Sequence, residues 1–141
     1  MKKLNAIMFI LLALQTLSFT SCKKEEPFEK AIIGKWEVYS RTQISYENNI
    51  KREEYIMYYD PDEMSYRFVE GGSGIYYEGT NEYLFSWTLS GTELTISNLY
   101  QSNLVAIAAI DGDMLTWSYK APNPDDPTGS FEFVLKARRI S

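Results

Sequence analysis

Histidine is absent from this chain of 141 residues, and cysteine occurs only once. Without histidine, most zinc sites and every Ser–His–Asp or Cys–His catalytic arrangement are excluded. A single cysteine cannot form a disulfide within the chain. The 14 basic residues face 19 acidic ones and form no basic stripe, so binding to nucleic acid is not predicted. Aromatic side chains are abundant, and 11 of them are tyrosines.

The first 21 residues have the layout of a secretory signal peptide. Lys2 and Lys3 give a positive start, the apolar run from Leu4 to Leu17 follows, and small residues come after it. The run is too short for a spanning helix, which needs about 20 apolar residues. A buried N-terminal helix is the alternative, but the later pattern offers no helix for it to pack against. Residues 1–21 are therefore predicted to be removed on export.

The lone cysteine follows this run directly. Residues 19–22, Phe-Thr-Ser-Cys, resemble a bacterial lipobox, although Phe19 stands where that family usually has leucine. The resemblance implies cleavage before Cys22 and acylation of its thiol. The lipid anchor would then attach the protein to a membrane, its expected partner. One acyl chain holds a protein only marginally, so stable anchoring needs several. Residues 22–31 are predicted to be the acylated cysteine and a flexible tether.

The charged residues after the cysteine resemble a targeting signal. Lys24, Glu25 and Glu26 match, position by position, the surface-export signal of lipoproteins in some Gram-negative groups. The resemblance implies a lipid-anchored protein of the outer membrane, exposed at the cell surface. A solvated tether with no targeting role, on the periplasmic face of that membrane, is the alternative. Loss of residues 1–21 removes two lysines and makes the net charge of −5 more negative, which favours solubility.

From residue 32 onward, apolar and polar side chains alternate in short runs that are typical of β strands. Gly91 and Gly112 lie between paired runs and predict tight hairpins, because glycine adopts positive φ without strain. About eight short strands joined as a meander predict an all-β, antiparallel up-and-down barrel over residues 32–141, since closure removes exposed strand edges. A β sandwich is the alternative.

The alternation also assigns side chains to the barrel interior. Seven aromatic residues are predicted to line a ligand site: Phe68, Tyr77, Tyr83, Phe85, Trp87, Trp117 and Tyr119. Twelve more are predicted to point inward: Trp36, Val38, Ile75, Leu89, Leu94, Ile96, Val105, Ile107, Leu115, Phe131, Phe133 and Leu135. An eight-stranded barrel has room for side chains or for one small ligand, so these rings either line a cavity or fill the core.

Two segments break the alternation. Residues 46–63 are predicted to form a long loop with some order of its own, with an extra strand or a short helix as alternatives. Tyr55, Tyr58 and Tyr59 are expected to contact a ligand from this loop as a lid, or else to pack the loop down. Residues 121–129 contain three of the five prolines and are predicted to be an exposed loop.

Gly34 and Trp36 form a Gly-X-Trp motif at the start of the first strand, ahead of the meander. This combination resembles the lipocalin family, and most of all the small lipocalin-like lipoproteins of bacteria. The resemblance implies a calycin-type barrel whose closed end is plugged by Trp36. It also implies that Arg138 or Arg139, near the last strand, packs across that ring. These matched residues carry the fold and no chemistry.

Lipocalins hold small apolar molecules, so the resemblance implies a non-catalytic protein that binds a small hydrophobic or amphipathic ligand in the barrel. A filled barrel that engages a surface protein or glycan through its loops is the alternative. Carboxylate pairs such as Asp111 and Asp113 lie in predicted turns, where solvation explains them better than acid–base catalysis. Their spacing matches no EF-hand loop. No catalytic residue, cofactor or metal is predicted.

Overall fold

Nine strands, all paired antiparallel, make up most of the chain that the computed structural model describes, residues 27–100 and 102–141. One helical turn, α1 (Phe28–Ala31), precedes them. The strands are β1 (Gly34–Glu47), β2 (Ile50–Tyr58), β3 (Met64–Val69), β4 (Ser73–Glu78), β5 (Asn81–Ser90), β6 (Glu93–Leu99), β7 (Ser102–Asp111), β8 (Met114–Pro122) and β9 (Gly129–Arg139).

The barrel closes where the first strand meets the last. β1 pairs with β9 along almost its whole length, and β3 to β9 follow as a meander. The closed ring therefore has eight strands, β1 and β3–β9, and the predicted fold class is confirmed. Among the described residues, no helix has the length and apolar character needed to cross a bilayer.

β2 lies outside the ring. Residues 34–37 of β1 pair with β3, whereas residues 40–47 pair with β2, so β2 continues the line of β3 beyond the barrel. Together with residues 129–136 of β9 and 118–122 of β8, these segments form a four-stranded sheet that projects past the open mouth. We call it the sheet extension. The predicted loop at residues 46–63 is wrong, and the alternative of an extra strand is confirmed by β2. β2 is exposed along its length, so no apolar alternation marked it as a strand.

The opposite end of the barrel is closed by Trp36 and α1. Trp36 is fully buried, and its Nε1–H donates to the Ile32 carbonyl over 2.7 Å. The Arg139 guanidinium lies 4.2 Å from the centre of the Trp36 ring and donates to the carbonyls of Ala31 and Ile33. Of the two candidate arginines, Arg139 packs on the tryptophan. Its hydrogen bonds also fix the end of α1 to the barrel.

The predicted tether needs correction at its end. Residues 28–31 form α1, and Phe28 packs against the core cluster, so these residues belong to the folded unit. The predicted signal peptide, Cys22 and the export residues Lys24, Glu25 and Glu26 lie outside the described residues.

Large rings fill the half of the barrel next to the closed end. Phe68 and Trp87 meet edge to face with centroids 5.6 Å apart, and Tyr66 and Trp117 do so at 5.1 Å. Each such pair adds roughly 0.5–1.5 kcal/mol beyond the burial of its area. The Trp87 Nε1–H donates to the carbonyls of Val69 and Ser73, which satisfies the turn between β3 and β4. This half is a packed core.

Two strands carry the opposite face inward from the one predicted. In β4, Gly74 and Tyr76 are buried, while Ile75 and Tyr77 face outward and the Lys35 Nζ lies 4.3 Å from the Tyr77 ring. In β7, Ala106 and Ala108 are buried, while Val105 and Ile107 are more than half exposed. The cause is space: Gly74 is paired with Phe85, and Ala108 with Trp117, so the smaller residue faces inward beside a large ring.

The other predicted inward residues face the interior. Ten are buried: Trp36, Val38, Phe68, Phe85, Trp87, Leu94, Ile96, Leu115, Trp117 and Leu135. Tyr83, Leu89, Tyr119 and Phe133 are partly buried against the same core, and Phe131 is half-buried beside Phe133. The prediction missed six further buried residues: Ile32, Tyr66, Tyr76, Ala106, Ala108 and Ala137.

Glu37 is buried on the outer side of the barrel wall, where it forms an ion pair with the half-exposed Arg138. Its Oε1 accepts from Arg138 Nη2 over 2.6 Å and from Nε over 3.0 Å, and its Oε2 accepts from the Asp62 backbone N–H. These bonds, led by those from Arg138, hold the pKa of the Glu37 carboxyl below its ordinary value, against the opposing effect of burial. The pair thereby fastens the turn between β2 and β3 to the barrel.

We expect Glu37→Gln to lower the free energy of unfolding near neutral pH by about 1–3 kcal/mol, since charge-assisted bonds to a buried group are lost. The folded-state pKa is depressed, so this contribution is full above the unfolded-state pKa and is lost as pH falls through the folded value. Urea unfolding near pH 7 and near pH 3 measures the difference in free energy of unfolding between wild type and variant. Glu82→Gln is the exposed control. An equal difference at both pH values would contradict the electrostatic origin of the Glu37 contribution.

Candidate functional site

A cavity of about 340 Å³ opens at the mouth of the barrel. Its walls are mostly apolar or aromatic, with a few polar side chains. Tyr66, Ile96 and Leu135 are buried and form its floor, while Leu99 and Tyr100 lie higher, near the turn between β6 and β7. The remaining lining residues are Arg41, Met64, Tyr76, Ser102, Asn103, Leu104 and Tyr119. A mainly apolar concavity with a few converging polar groups is typical of small-molecule sites.

Tyrosine hydroxyls are the main polar groups of the cavity. The rings of Tyr66 and Tyr76 lie 4.8 Å apart, and Tyr100 lies 6.1 Å from Tyr76. Burial raises the pKa of Tyr76 to about 12 and the pKa of Tyr66 further still. Burial also raises the pKa of Tyr119, although the positive charge of Arg41 opposes that shift. These hydroxyls therefore stay protonated at neutral pH and remain hydrogen-bond donors.

The structure brings only one of the predicted ligand-lining residues, Tyr119, into the cavity. Phe68, Phe85, Trp87 and Trp117 are buried in the packed half below it, with at most 4% of each exposed. Tyr83 packs against Tyr76 and Tyr100 but does not line the cavity, and Tyr77 faces outward.

Three of the lining residues that the prediction missed, Tyr66, Tyr76 and Arg41, were missed for different reasons. Tyr76 was missed because Ile75 and Tyr77 offer an equally apolar face on the same strand. Tyr66 belongs to a clean alternation with Phe68 and was detectable from the sequence. Arg41 was not, because its inward direction depends on an irregularity in β1.

The sheet extension continues the cavity wall outward as an aromatic face. Tyr119 stacks on Phe133 with centroids 5.1 Å apart, and Phe131 lies 6.1 Å from Phe133. Across the sheet, Phe133 is level with Gln43 and Gln43 with Tyr55, so Tyr55 shares this inner face. Tyr58 pairs with Ser40 on the opposite face, and Tyr59 is half-buried against the core. Of the three predicted lid tyrosines, Tyr58 faces away from the cavity, whereas Tyr55 shares the inner face of the sheet extension and Tyr59 packs against the core. Tyr55 and Tyr58 lie on a strand and not on a loop.

Other parts of the described surface offer weaker candidates. A larger depression of about 1050 Å³ lies beside α1, but it is a broad groove open to solvent and its walls carry both signs of charge. Within residues 27–100 and 102–141, no group of three or more carboxylate or thiol side chains is placed to hold a metal ion. The mouth cavity is therefore the candidate site. No family model, no curated protein and no solved structure matches this chain.

Proposed function

We propose that this protein is a lipocalin-like, lipid-anchored binding protein that holds a small hydrophobic or amphipathic molecule in the mouth of its barrel. The observation that carries the proposal is the mouth cavity, an apolar hollow with protonated tyrosine donors above a packed core. No carboxylate of the described residues lines the cavity to act as an acid or base, which favours a binding role over a catalytic one.

The volume of the cavity limits the ligand. Small-molecule sites run from roughly 300 to 1,000 Å³, so this one lies near the lower limit. One water takes about 30 Å³ in the liquid, and on that scale the cavity holds roughly a dozen non-hydrogen atoms. A larger molecule has to leave part of its body against the aromatic face of the sheet extension. A whole phospholipid does not fit.

The anchor belongs to the same proposal and sets the direction of the mouth. If Cys22 is acylated, four residues separate it from Pro27 at the closed end, and the five steps along the chain span at most roughly 18 Å. The closed end then faces the membrane, and the mouth opens away from it. The ligand would reach the cavity from the aqueous side. For an outer-membrane protein displayed on the surface, that side is the cell exterior.

Exposed side chains on β2 favour a second candidate function, the binding of a surface protein or glycan. Tyr55 and Tyr58 are 63% and 74% exposed, and Ile56 lies between them. The outer edge of β2 pairs with no strand in the described chain, so its backbone groups are free to bond to a partner. Crosslinking on intact cells tests this role, and the absence of any specific partner counts against it.

A tryptophan placed inside the cavity is expected to abolish ligand binding. Leu104→Trp fills part of the hollow, whereas Val105→Trp adds the same ring on the outer face of the same strand. With the neutral fluorescent probe N-phenylnaphthylamine, we expect Leu104→Trp to weaken binding at least tenfold, about 1.4 kcal/mol, and Val105→Trp to change it little. The titrations use the chain from residue 22 onward with Cys22→Ser, which needs no detergent.

Either of two results would remove the support for this function. One is that the probe does not bind the wild-type barrel at all. The other is that both tryptophan variants weaken binding equally, because the probe then sits on the surface. The melting temperature of each variant without probe shows whether the barrel itself survives the substitution.

A further inference from the structure

The only formal charge among the lining residues of the mouth cavity belongs to Arg41, and a β-bulge turns it inward. At the start of β1, the even positions Trp36 and Val38 face the core. The register against β9 then shifts between Val38 and Ser40, which leaves Tyr39 as an extra residue. From there the odd positions face inward, so Arg41 is level with the buried Leu135. Bulges are frequent beside functional sites, where they redirect a side chain.

No carboxylate of the described chain neutralises Arg41. Arg52, Arg138 and Arg139 each form an ion pair, with Glu47, Glu37 and Asp113. Arg41 forms none within residues 27–100 and 102–141, and its guanidinium lies 5.2 Å from the centre of the Phe133 ring. It is half-buried between apolar walls, where an uncompensated charge is costly.

The surroundings of Arg41 suit an anion. No acidic residue of the described chain lines the cavity. Glu78 lies at the exposed rim, where its carboxylate accepts a hydrogen bond from the Tyr100 hydroxyl. Glu53 lies further out, on β2. Tyr66, Tyr76 and Tyr119 add protonated hydroxyls that donate to acceptor oxygens. Arg41 therefore places a positive charge in the wall of the cavity, within a protein whose net charge is −5.

We propose that the mouth cavity selects amphipathic anions. The apolar body of the ligand lies on Ile96, Leu104 and the tyrosine rings. A single carboxylate, sulfonate or phosphate group accepts two parallel hydrogen bonds from the planar guanidinium of Arg41. This inference rests on the proposed binding function and adds the charge of the ligand to it.

Two related fluorescent probes test the inference, because they differ in charge. Anilinonaphthalene sulfonate carries a sulfonate group, and N-phenylnaphthylamine has the same ring systems without it. We expect Arg41→Gln to weaken binding of the sulfonate probe at least tenfold and binding of the neutral probe less than twofold. Arg41→Lys keeps the charge but loses the paired bonds, so an intermediate loss is expected. Arg67→Gln is the matched control, since Arg67 is exposed on β3 and forms no ion pair with a described residue.

The outcomes separate this inference from the function beneath it. Equal losses for both probes, or no loss for either, overturn anion selection while leaving the cavity a binding site. Probe binding that Leu104→Trp does not reduce overturns the binding function itself. Tryptophan fluorescence and the melting temperature of each variant exclude a misfolded barrel, which would bind the sulfonate probe non-specifically.

Discussion

Replacing Trp36 with alanine is expected to lower the free energy of unfolding by about 4 kcal/mol, within the 3–5 kcal/mol typical of a buried tryptophan. The ring is fully buried, and its removal leaves a hollow beneath α1. It also leaves the Ile32 carbonyl without its donor and takes the stacking surface from Arg139. Urea unfolding, followed by circular dichroism, measures the loss.

Trp36→Phe separates these contributions. It keeps a ring beneath Arg139 but loses the Nε1–H. We expect the lost hydrogen bond to lower the free energy of unfolding by about 1 kcal/mol, and the packing defect to be smaller than that of Trp36→Ala. The mouth cavity lies at the other end of the barrel, so Trp36→Phe should bind N-phenylnaphthylamine like wild type. A loss below about 2 kcal/mol for Trp36→Ala would contradict the role of this residue as the plug of the closed end.

The closed end could be predicted from the sequence because its signal is local. Gly34 and Trp36 stand two residues apart at the start of a strand, and the arginines come near the end of the last strand. The choice between Arg138 and Arg139 could not be made. Neighbouring residues of a strand face opposite sides, and the inward side of β9 depends on its register with β1.

The mouth was harder to predict because its signals depend on distant partners. The bulge at Tyr39 has no mark of its own in the sequence, yet it decides that Arg41 and not Ser40 faces the cavity. In β7, residues 104–110 are apolar on both faces, and only the rings already inside the barrel select the alanines. β2 was missed because both of its faces are exposed.

These errors bear directly on whether the barrel is hollow or filled. Four of the seven predicted lining residues, Phe68, Phe85, Trp87 and Trp117, are packing residues of the half next to the closed end. That half is filled, as the alternative of a barrel packed with rings predicted. The open half above it carries tyrosines and one arginine together with aliphatic side chains. The division explains how a chain rich in aromatic residues keeps a stable core and still leaves a cavity at one end.

The β4 register gives the second large expected effect. Gly74 faces inward opposite Phe85, and a Cβ at this position would overlap the phenylalanine ring. The backbone of Gly74 has no positive φ, so the cost of a side chain comes from packing alone. We expect Gly74→Ala to lower the free energy of unfolding by about 3 kcal/mol, at the upper end of ordinary overpacking. Ser73→Thr, which adds a methyl group on the exposed neighbour, should cost little.

A second substitution tests the cause of that loss. Phe85→Leu removes the part of the ring that occupies the space beside Gly74, so the double variant should be more stable than the two single losses predict. An interaction energy of about 1–3 kcal/mol is expected from a double-mutant cycle in urea, as is typical of residues in direct contact. Additive losses would mean that Gly74 and Phe85 do not share this space. The inward face of β4 would then be the one that carries Ile75 and Tyr77, and Tyr76 would leave the wall of the cavity.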